Sequence, residues 1–175
     1  MSLWAILPTK SYDEIEAKTS RGSLEATLTF LRAIQKITTI VVMSPDPKVV
    51  AVAHQFNART ISIADLPAWE TGLARALHLA AASGVWRAMI LNPAFSTLDI
   101  QFFDHLLSLE QPPCSLSLVP LGDTDDTGIA IVSPPDYLHI SLGSGSLRQN
   151  AKAARMISAP LAIHSVPDLL VASTP

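Results

Sequence analysis

Three basic residues follow the first apolar run of the chain, at Lys10, Lys18 and Arg21. Ammonium and guanidinium groups in such a segment can bind the phosphates of a ligand. The same segment carries three carboxylates between positions 13 and 16, so a solvated loop with neutralised charges is the alternative. Ligands of an open parallel sheet bind beyond the carboxyl ends of its strands, and the loop after a first strand has that position.

A glycine-rich segment offers a second candidate site. Gly143, Gly145 and Ser146 come just before a predicted helix that carries Arg148 and Lys152 in its first two turns. Glycine allows a ligand to approach the backbone closely, and the first amides of a helix are unpaired donors, so an anion site is one interpretation. An ordinary loop-to-helix transition with Ser146 as N-cap is the other.

The acidic turn Asp123-Thr124-Asp125-Asp126 is a third candidate. Asp123 and Asp125 provide hard oxygen ligands of the kind that magnesium accepts. Clustered aspartates between two strands are more often solvated turn formers, so a metal site is the less favoured interpretation.

Other kinds of site have little support. The five histidines show no i, i+4 pair typical of a helical metal site, and Cys114 is alone. With 12 basic and 15 acidic residues the net charge is −3, which argues against a nucleic-acid partner. Apolar runs are well short of the roughly 20 residues that span a bilayer. We therefore expect a cytoplasmic protein with no membrane segment.

Elements that would position these sites alternate along the chain. The 175 residues are 49% hydrophobic and 15% charged, which favours one domain over residues 1–175 with helices covering both faces of a sheet. The predicted strands are Leu3–Leu7, Thr39–Met43, Arg59–Ile63, Trp86–Leu91, Ser115–Val119, Gly128–Ser133 and Leu161–His164. The predicted helices are Ser23–Lys36, Pro47–Phe56 with Asp46 as its N-cap, Thr71–Ser83 closed by Gly84, Leu98–Glu110 and Ser146–Ile157, with a short turn at Pro167–Val171.

These pieces in order resemble the 2-phospho-lactate guanylyltransferases, which have a nucleotide-diphospho-sugar transferase fold. The likeness spans nearly the whole chain, through Trp4-Ala5-Ile6-Leu7-Pro8-Thr9-Lys10, Ala17-Lys18-Thr19, Val41-Val42-Met43-Ser44-Pro45-Asp46-Pro47, Gly72-Leu73, Gly143-Ser144-Gly145-Ser146 and Pro167-Asp168-Leu169. The resemblance implies a three-layer α/β/α fold with a mostly parallel mixed sheet. It also implies that a nucleotide or its phosphates contact Pro8, Lys10, Lys18, Arg21, Gly72, Gly143, Gly145 and Ser146.

This chain departs from the family pattern at positions where the family carries metal-binding or catalytic side chains. Where the family has a metal-binding aspartate after the fourth strand, this chain has Ala94, and where it has an asparagine this chain has Ala74. A histidine expected after the glycine segment corresponds to Asn150. An alanine cannot hold a metal, and losing electrostatic stabilisation of a transition state costs on the order of a hundredfold or more in rate.

Two hypotheses therefore remain open. The first is a catalytically inactive relative that binds a nucleotide or phosphorylated ligand, and a homodimer is compatible with it. The second is an active guanylyltransferase that joins GMP from GTP to a small phosphorylated hydroxy acid, as in deazaflavin cofactor biosynthesis, and releases pyrophosphate. The active form would need Mg²⁺, with Asp123 or Asp125 as substitute ligands.

Overall fold

A computed structural model describes residues 2–10, 24–63, 69–95 and 99–166. Within these ranges seven strands form one sheet in the order β3-β2-β1-β4-β6-β5-β7. The strands are β1 (Leu3–Pro8), β2 (Ile37–Ser44), β3 (Arg59–Ser62), β4 (Arg87–Leu91), β5 (Ser115–Pro120), β6 (Thr127–Ser133) and β7 (Leu161–Ile163). All seven predicted strands are present, with ends shifted by one or two residues.

One strand makes the sheet mixed. Strands β1 to β4 are parallel to one another, and β5 is parallel to β7, whereas β6 is antiparallel to both of its neighbours, β4 and β5. Because β6 runs in the opposite direction, its first residue, Thr127, lies at the edge where the parallel strands end. The expectation of a mostly parallel mixed sheet is confirmed.

Five helices lie in the described part of the chain. They are α1 (Leu24–Ala33), α2 (Pro47–Gln55), α3 (Trp69–Ala82), α4 (Ile100–Ser108) and α5 (Ser146–Met156). Asp46 caps α2, since its side chain accepts a hydrogen bond from the backbone of Lys48 and Pro47 occupies the first turn. Gly84 follows α3 with a φ of 72°, the left-handed conformation expected there.

Some predicted helix ends are wrong by a few residues. Helix α1 ends at Ala33, not Lys36, because Ile37 already begins β2. Helix α4 begins at Ile100, since the Asp99 carboxylate accepts from the next backbone amides and so makes Asp99 the N-cap. The predicted turn at 167–171 lies outside the described residues.

The core consists of two layers, one on each face of the sheet. Alternate residues of β1 point to opposite faces: Leu3, Ala5 and Leu7 pack with α1, α2 and α4, whereas Trp4 and Ile6 pack with α3 and α5. Both faces are therefore buried, and the three-layer α/β/α architecture explains the high hydrophobic content. Over the described residues, no helix combines the length and apolarity needed to cross a membrane.

Candidate functional site

The strand register brings several polar segments to one edge of the sheet. Pro8 at the end of β1 is level with Met43 of β2, and the Thr9 amide continues this pairing by donating to the Met43 carbonyl at 2.8 Å. On the other side of β1, strand β4 ends at Leu91, and the amide of Asn92 donates to the Gly128 carbonyl at 2.8 Å. This carboxyl edge is where an open α/β sheet binds ligands.

Thr9 and Lys10 occupy the centre of the carboxyl edge, directly after β1. Thr9 is fully buried, and its Oγ1 has no hydrogen-bond partner among the described residues. Lys10 is exposed and forms no ion pair with a described residue. The buried Pro8 is the last residue of β1 and lacks an amide hydrogen, so its backbone cannot donate a hydrogen bond to a ligand.

Thr9 is a candidate ligand contact that residue types and spacing did not indicate. The available signal was a hydroxyl residue between a buried strand and a lysine, but only the structure shows that this hydroxyl is buried without a partner among the described residues. A buried hydroxyl without a partner is unfavourable by about 1–3 kcal/mol. Such a group is therefore a candidate ligand contact. The predicted phosphate ligands Lys18 and Arg21 lie outside the described residues, so their position relative to Thr9 stays a prediction.

The acidic turn and the glycine segment, predicted as two separate sites, contact each other. The Gly145 amide donates to Asp126 Oδ1 at 2.9 Å, and the Leu147 amide donates to the Asp125 carbonyl at 2.9 Å. The Asp125 carboxylate also forms an ion pair with Arg148 at 2.7 Å. Carboxylates of the chain itself therefore occupy the amino end of α5, where the helix dipole favours negative charge.

The interpretation of Ser146 as N-cap is wrong. Gly145 is the N-cap, with a φ of 71° that glycine adopts without strain, and Ser146 is the first residue of α5. The Ser146 hydroxyl instead accepts a hydrogen bond from the Thr127 amide at 2.8 Å, which ties the helix to the start of β6. Gly143 has a φ of 95°, and its carbonyl accepts from the Ser146 amide. The segment is therefore built into the fold by its own contacts.

A buried polar network continues behind this helix end. Asn150 is 1% exposed, and its Nδ2 donates to Thr127 Oγ1 at 3.0 Å and to the Ser141 carbonyl at 2.9 Å. Its Oδ1 accepts from the Ser141 amide at 2.8 Å. Asn150 stands where the resemblance implied a histidine, and here its amide group joins β6, α5 and the preceding loop.

The segment after β4 is held by hydrogen bonds and apolar packing within the chain. Asn92 Nδ2 donates to the Thr127 carbonyl at 3.1 Å, and Asn92 Oδ1 accepts from the Ala94 amide at 3.0 Å. Phe95 is 5% exposed and packs against Phe102 and Phe103. Ala94, where the resemblance implied an aspartate, thus carries a methyl group beside an asparagine whose side-chain amide is already hydrogen-bonded within the chain.

Gly72 lies in the buried face of α3 against the sheet. A Cβ at this position would stand 2.5 Å from Ile63 Cγ2 and 3.1 Å from Met43 Cε. The close approach of α3 to Met43 and Ile63 therefore favours glycine here, since a side chain would force its neighbours to shift. Packing against Ile63 and Met43 accounts for a glycine at this position, and a nucleotide contact at Gly72 stays a prediction.

Among the described residues, no group of three or more histidine, cysteine, aspartate or glutamate side chains is placed to hold a metal. Asp123 is exposed in the acidic turn. His164 follows β7 at the carboxyl edge, and burial, with a smaller effect from His105, lowers its pKa. His164 is therefore favoured in its neutral form.

No protein-family model matches the chain, and no curated protein sequence is similar enough to count as a match. Solved structures match over nearly its whole length. A 4-diphosphocytidyl-2C-methyl-D-erythritol synthase aligns with 93% of this chain and 88% of its own at 14% identity and a TM-score of 0.68. A nucleotidyl transferase from Methanothermobacter aligns over 97% and 90% at 13% identity and a TM-score of 0.59.

A third similar structure contains a nucleotide. It is a CMP:2-keto-3-deoxy-manno-octonic acid synthetase complexed with CTP, which aligns with 94% of this chain and 90% of its own at 10% identity and a TM-score of 0.56. At these identities the comparison establishes architecture. The chain has the fold of the nucleotide-diphospho-sugar transferases and cytidylyltransferases.

Proposed function

We propose that this chain binds the phosphates of a nucleotide at Thr9 and Lys10, as a divergent and catalytically inactive relative of the 2-phospho-lactate guanylyltransferases. The observation that carries the proposal is the buried Thr9 hydroxyl, which has no described partner and directly precedes the exposed Lys10 in the chain. A phosphate oxygen would accept from both groups. A structure of the same fold that was solved with CTP supports a nucleotide as the ligand.

Lys18 and Arg21 belong to the proposal as further phosphate ligands, on the resemblance of the first 21 residues. Gly143, Gly145 and Ser146 do not, since Asp126 and the Gly143 carbonyl already accept from the amides of Gly145 and Ser146. Gly72 is likewise left out, because Ile63 fills the space beside it.

The carboxylates near the edge support the inactive form. Asp125 is paired with Arg148, and Asp126 accepts from the Gly145 amide. Nucleotidyl transfer needs a divalent cation to neutralise charge that develops on the phosphates, and such a cation is usually held by carboxylates. Ala94 supplies none where the family has its aspartate. Binding through Thr9 and Lys10 requires no metal.

Binding can be tested by isothermal titration calorimetry with GTP, CTP, UTP and ATP in the presence of EDTA. We expect Lys10→Ala to weaken binding about tenfold, as a lost charge-assisted hydrogen bond would. Lys36→Ala is the matched control, since Lys36 is exposed just before β2, at the opposite edge of the sheet. If none of the four nucleotides binds, or if both variants bind as the wild type does, the proposal is wrong.

Thr9→Val separates a ligand contact from a structural role. Valine has nearly the same shape, and the hydroxyl that it removes has no described partner, so the free energy of unfolding should stay the same or rise. Nucleotide binding should nevertheless weaken by about threefold to tenfold, because a phosphate would lose a donor. A variant that is destabilised but binds normally would show that the hydroxyl serves the fold.

The active guanylyltransferase remains the second candidate, because Asp123 is exposed in the acidic turn and has no ion pair with a described residue. In this candidate, Asp123 would bind Mg²⁺ together with the nucleotide phosphates. Pyrophosphate release from GTP or CTP, with 2-phospholactate as acceptor and Mg²⁺ present, is the assay. If the wild type releases pyrophosphate and Asp123→Asn does not, the chain is an active nucleotidyltransferase and the proposal of an inactive relative is wrong. An absence of turnover alongside nucleotide binding would support the inactive form.

A further inference from the structure

The outer edge of the sheet, next to β7, carries a groove far from Thr9 and Lys10. Strand β7 is the last strand in the sheet order, and α5 packs beside it on one face. Between them lies a groove of about 650 Å³, lined on the β7 side by Ile163. Neither Thr9 nor Lys10 takes part in it.

The backbone of β7 has hydrogen-bonding groups on its outer side. The Pro160 carbonyl accepts from the Leu116 amide, and the His164 amide donates to the Leu118 carbonyl, both at 2.9 Å. Since backbone groups alternate in direction along a strand, the amide and carbonyl of Leu161 and Ile163 point away from β5. In the described part of the chain no strand pairs with them on that side. Such an edge is a template for adding an extended segment.

Three cations line the helix side of the groove. Arg148, Lys152 and Arg155 are spaced by four and three residues, so they lie along one face of α5, and all three are exposed. Asp125 pairs with Arg148 only, at the amino end of the helix. A chain with a net charge of −3 therefore presents a locally basic surface here.

Apolar side chains alternate with these cations. Met156 is 76% exposed and Ile163 is 49% exposed, which makes them the two most exposed large hydrophobic residues in the described part of the chain. Leu147 lines the same groove near the amino end of α5. The surface thus combines basic groups, apolar side chains and free strand backbone.

We propose that this groove binds an acidic, extended polypeptide segment of a partner protein, which adds a strand to β7. Its acidic side chains would meet Arg148, Lys152 and Arg155, and its apolar side chains would cover Met156 and Ile163. Charge complementarity selects this occupant. A symmetric contact between two copies of the chain would place the same three cations against themselves, and a nucleic acid would leave the apolar side chains uncovered.

The test uses an eight-residue, fluorescein-labelled peptide with threonine at every even position and glutamate and valine in turn at the odd positions. In an extended conformation this peptide presents glutamate and valine on one face. Fluorescence anisotropy should show saturable binding to the full chain. The double variant Lys152→Glu with Arg155→Glu should weaken binding at least about tenfold. The control double variant Lys36→Glu with Lys48→Glu makes the same change in net charge and should bind normally.

Strand addition is tested by methylating the peptide backbone. An added strand pairs through alternate residues, so N-methylation at the even positions and at the odd positions should differ, and one of the two peptides should lose binding at least about tenfold. Equal binding of both methylated peptides would overturn strand addition. Binding of a peptide with lysine in place of glutamate would overturn charge recognition.

Two other occupants would also overturn the proposal. Sedimentation velocity would reveal a dimer that dissociates in the Lys152→Glu, Arg155→Glu variant, which would assign the groove to a second copy of the chain. A labelled 12-base single-stranded DNA that binds the wild type more tightly than the acidic peptide, and is lost in the same variant, would assign it to nucleic acid.

Discussion

Replacing Asn150 by alanine is expected to lower the free energy of unfolding by about 2–4 kcal/mol. The substitution removes three hydrogen bonds, one with Thr127 Oγ1 and two with the backbone of Ser141. Thr127 is fully buried, so its hydroxyl pays the whole penalty of an unpaired polar group, about 1–3 kcal/mol. Ser141 is half-buried, and water replaces part of what its amide and carbonyl lose.

Urea unfolding followed by circular dichroism measures this loss. For a chain of this size the melting temperature should fall by roughly 5–15 °C, at about 2–4 °C per kcal/mol. Gln149→Ala is the matched control, since Gln149 is the exposed neighbour on the same helix and should change stability by less than about 0.5 kcal/mol. If Asn150→Ala unfolds within about 0.5 kcal/mol of the wild type at an unchanged m-value, the network does not stabilise the fold as argued.

Two further predictions concern packing and pH. Gly72→Ala should lower the free energy of unfolding in urea by about 1 kcal/mol, since the clash with Ile63 exceeds the gain in helix propensity. The double variant Gly72→Ala with Ile63→Ala should lose less stability than the sum of the losses in the two single variants. Burial, and to a smaller extent His105, lowers the pKa of His164 below its usual 6.5, so the folded chain binds that proton less well than the unfolded chain. The free energy of unfolding should therefore decline as the pH falls through about 6.5, and this decline should be smaller in His164→Gln. A decline of equal size in the wild type and the variant would refute the assignment to His164.

The strands and the start of α2 were predictable because their signals are local. Short apolar runs between turn residues gave all seven strands, and Asp46 with Pro47 marked the start of α2. These signals depend on neighbouring residues in the chain, so no knowledge of the fold is needed to interpret them. The direction of β6 is different, because a single strand turned against its neighbours has the same apolar pattern as a parallel one.

Long-range contacts decided the interpretation of the candidate site. Asp126 and Gly145 are 19 residues apart, and nothing in either segment indicates that the aspartate bonds the glycine amide. Likewise Ser146 has the residue type of an N-cap, yet its hydroxyl bonds Thr127 and leaves Gly145 as the cap. Each segment alone was compatible with a ligand site. Only the tertiary structure shows that the polar groups of the two segments form hydrogen bonds with each other.

By itself the sequence determined the layered α/β fold, because the pattern of apolar and polar residues is a property of the chain alone. The tertiary structure decided which polar groups are already satisfied and which are not. It pairs the acidic turn with the amino end of α5 and leaves the Thr9 hydroxyl buried without a described partner. Hydrogen-bond satisfaction depends on which distant segments the fold brings together, so the sequence alone could not supply it.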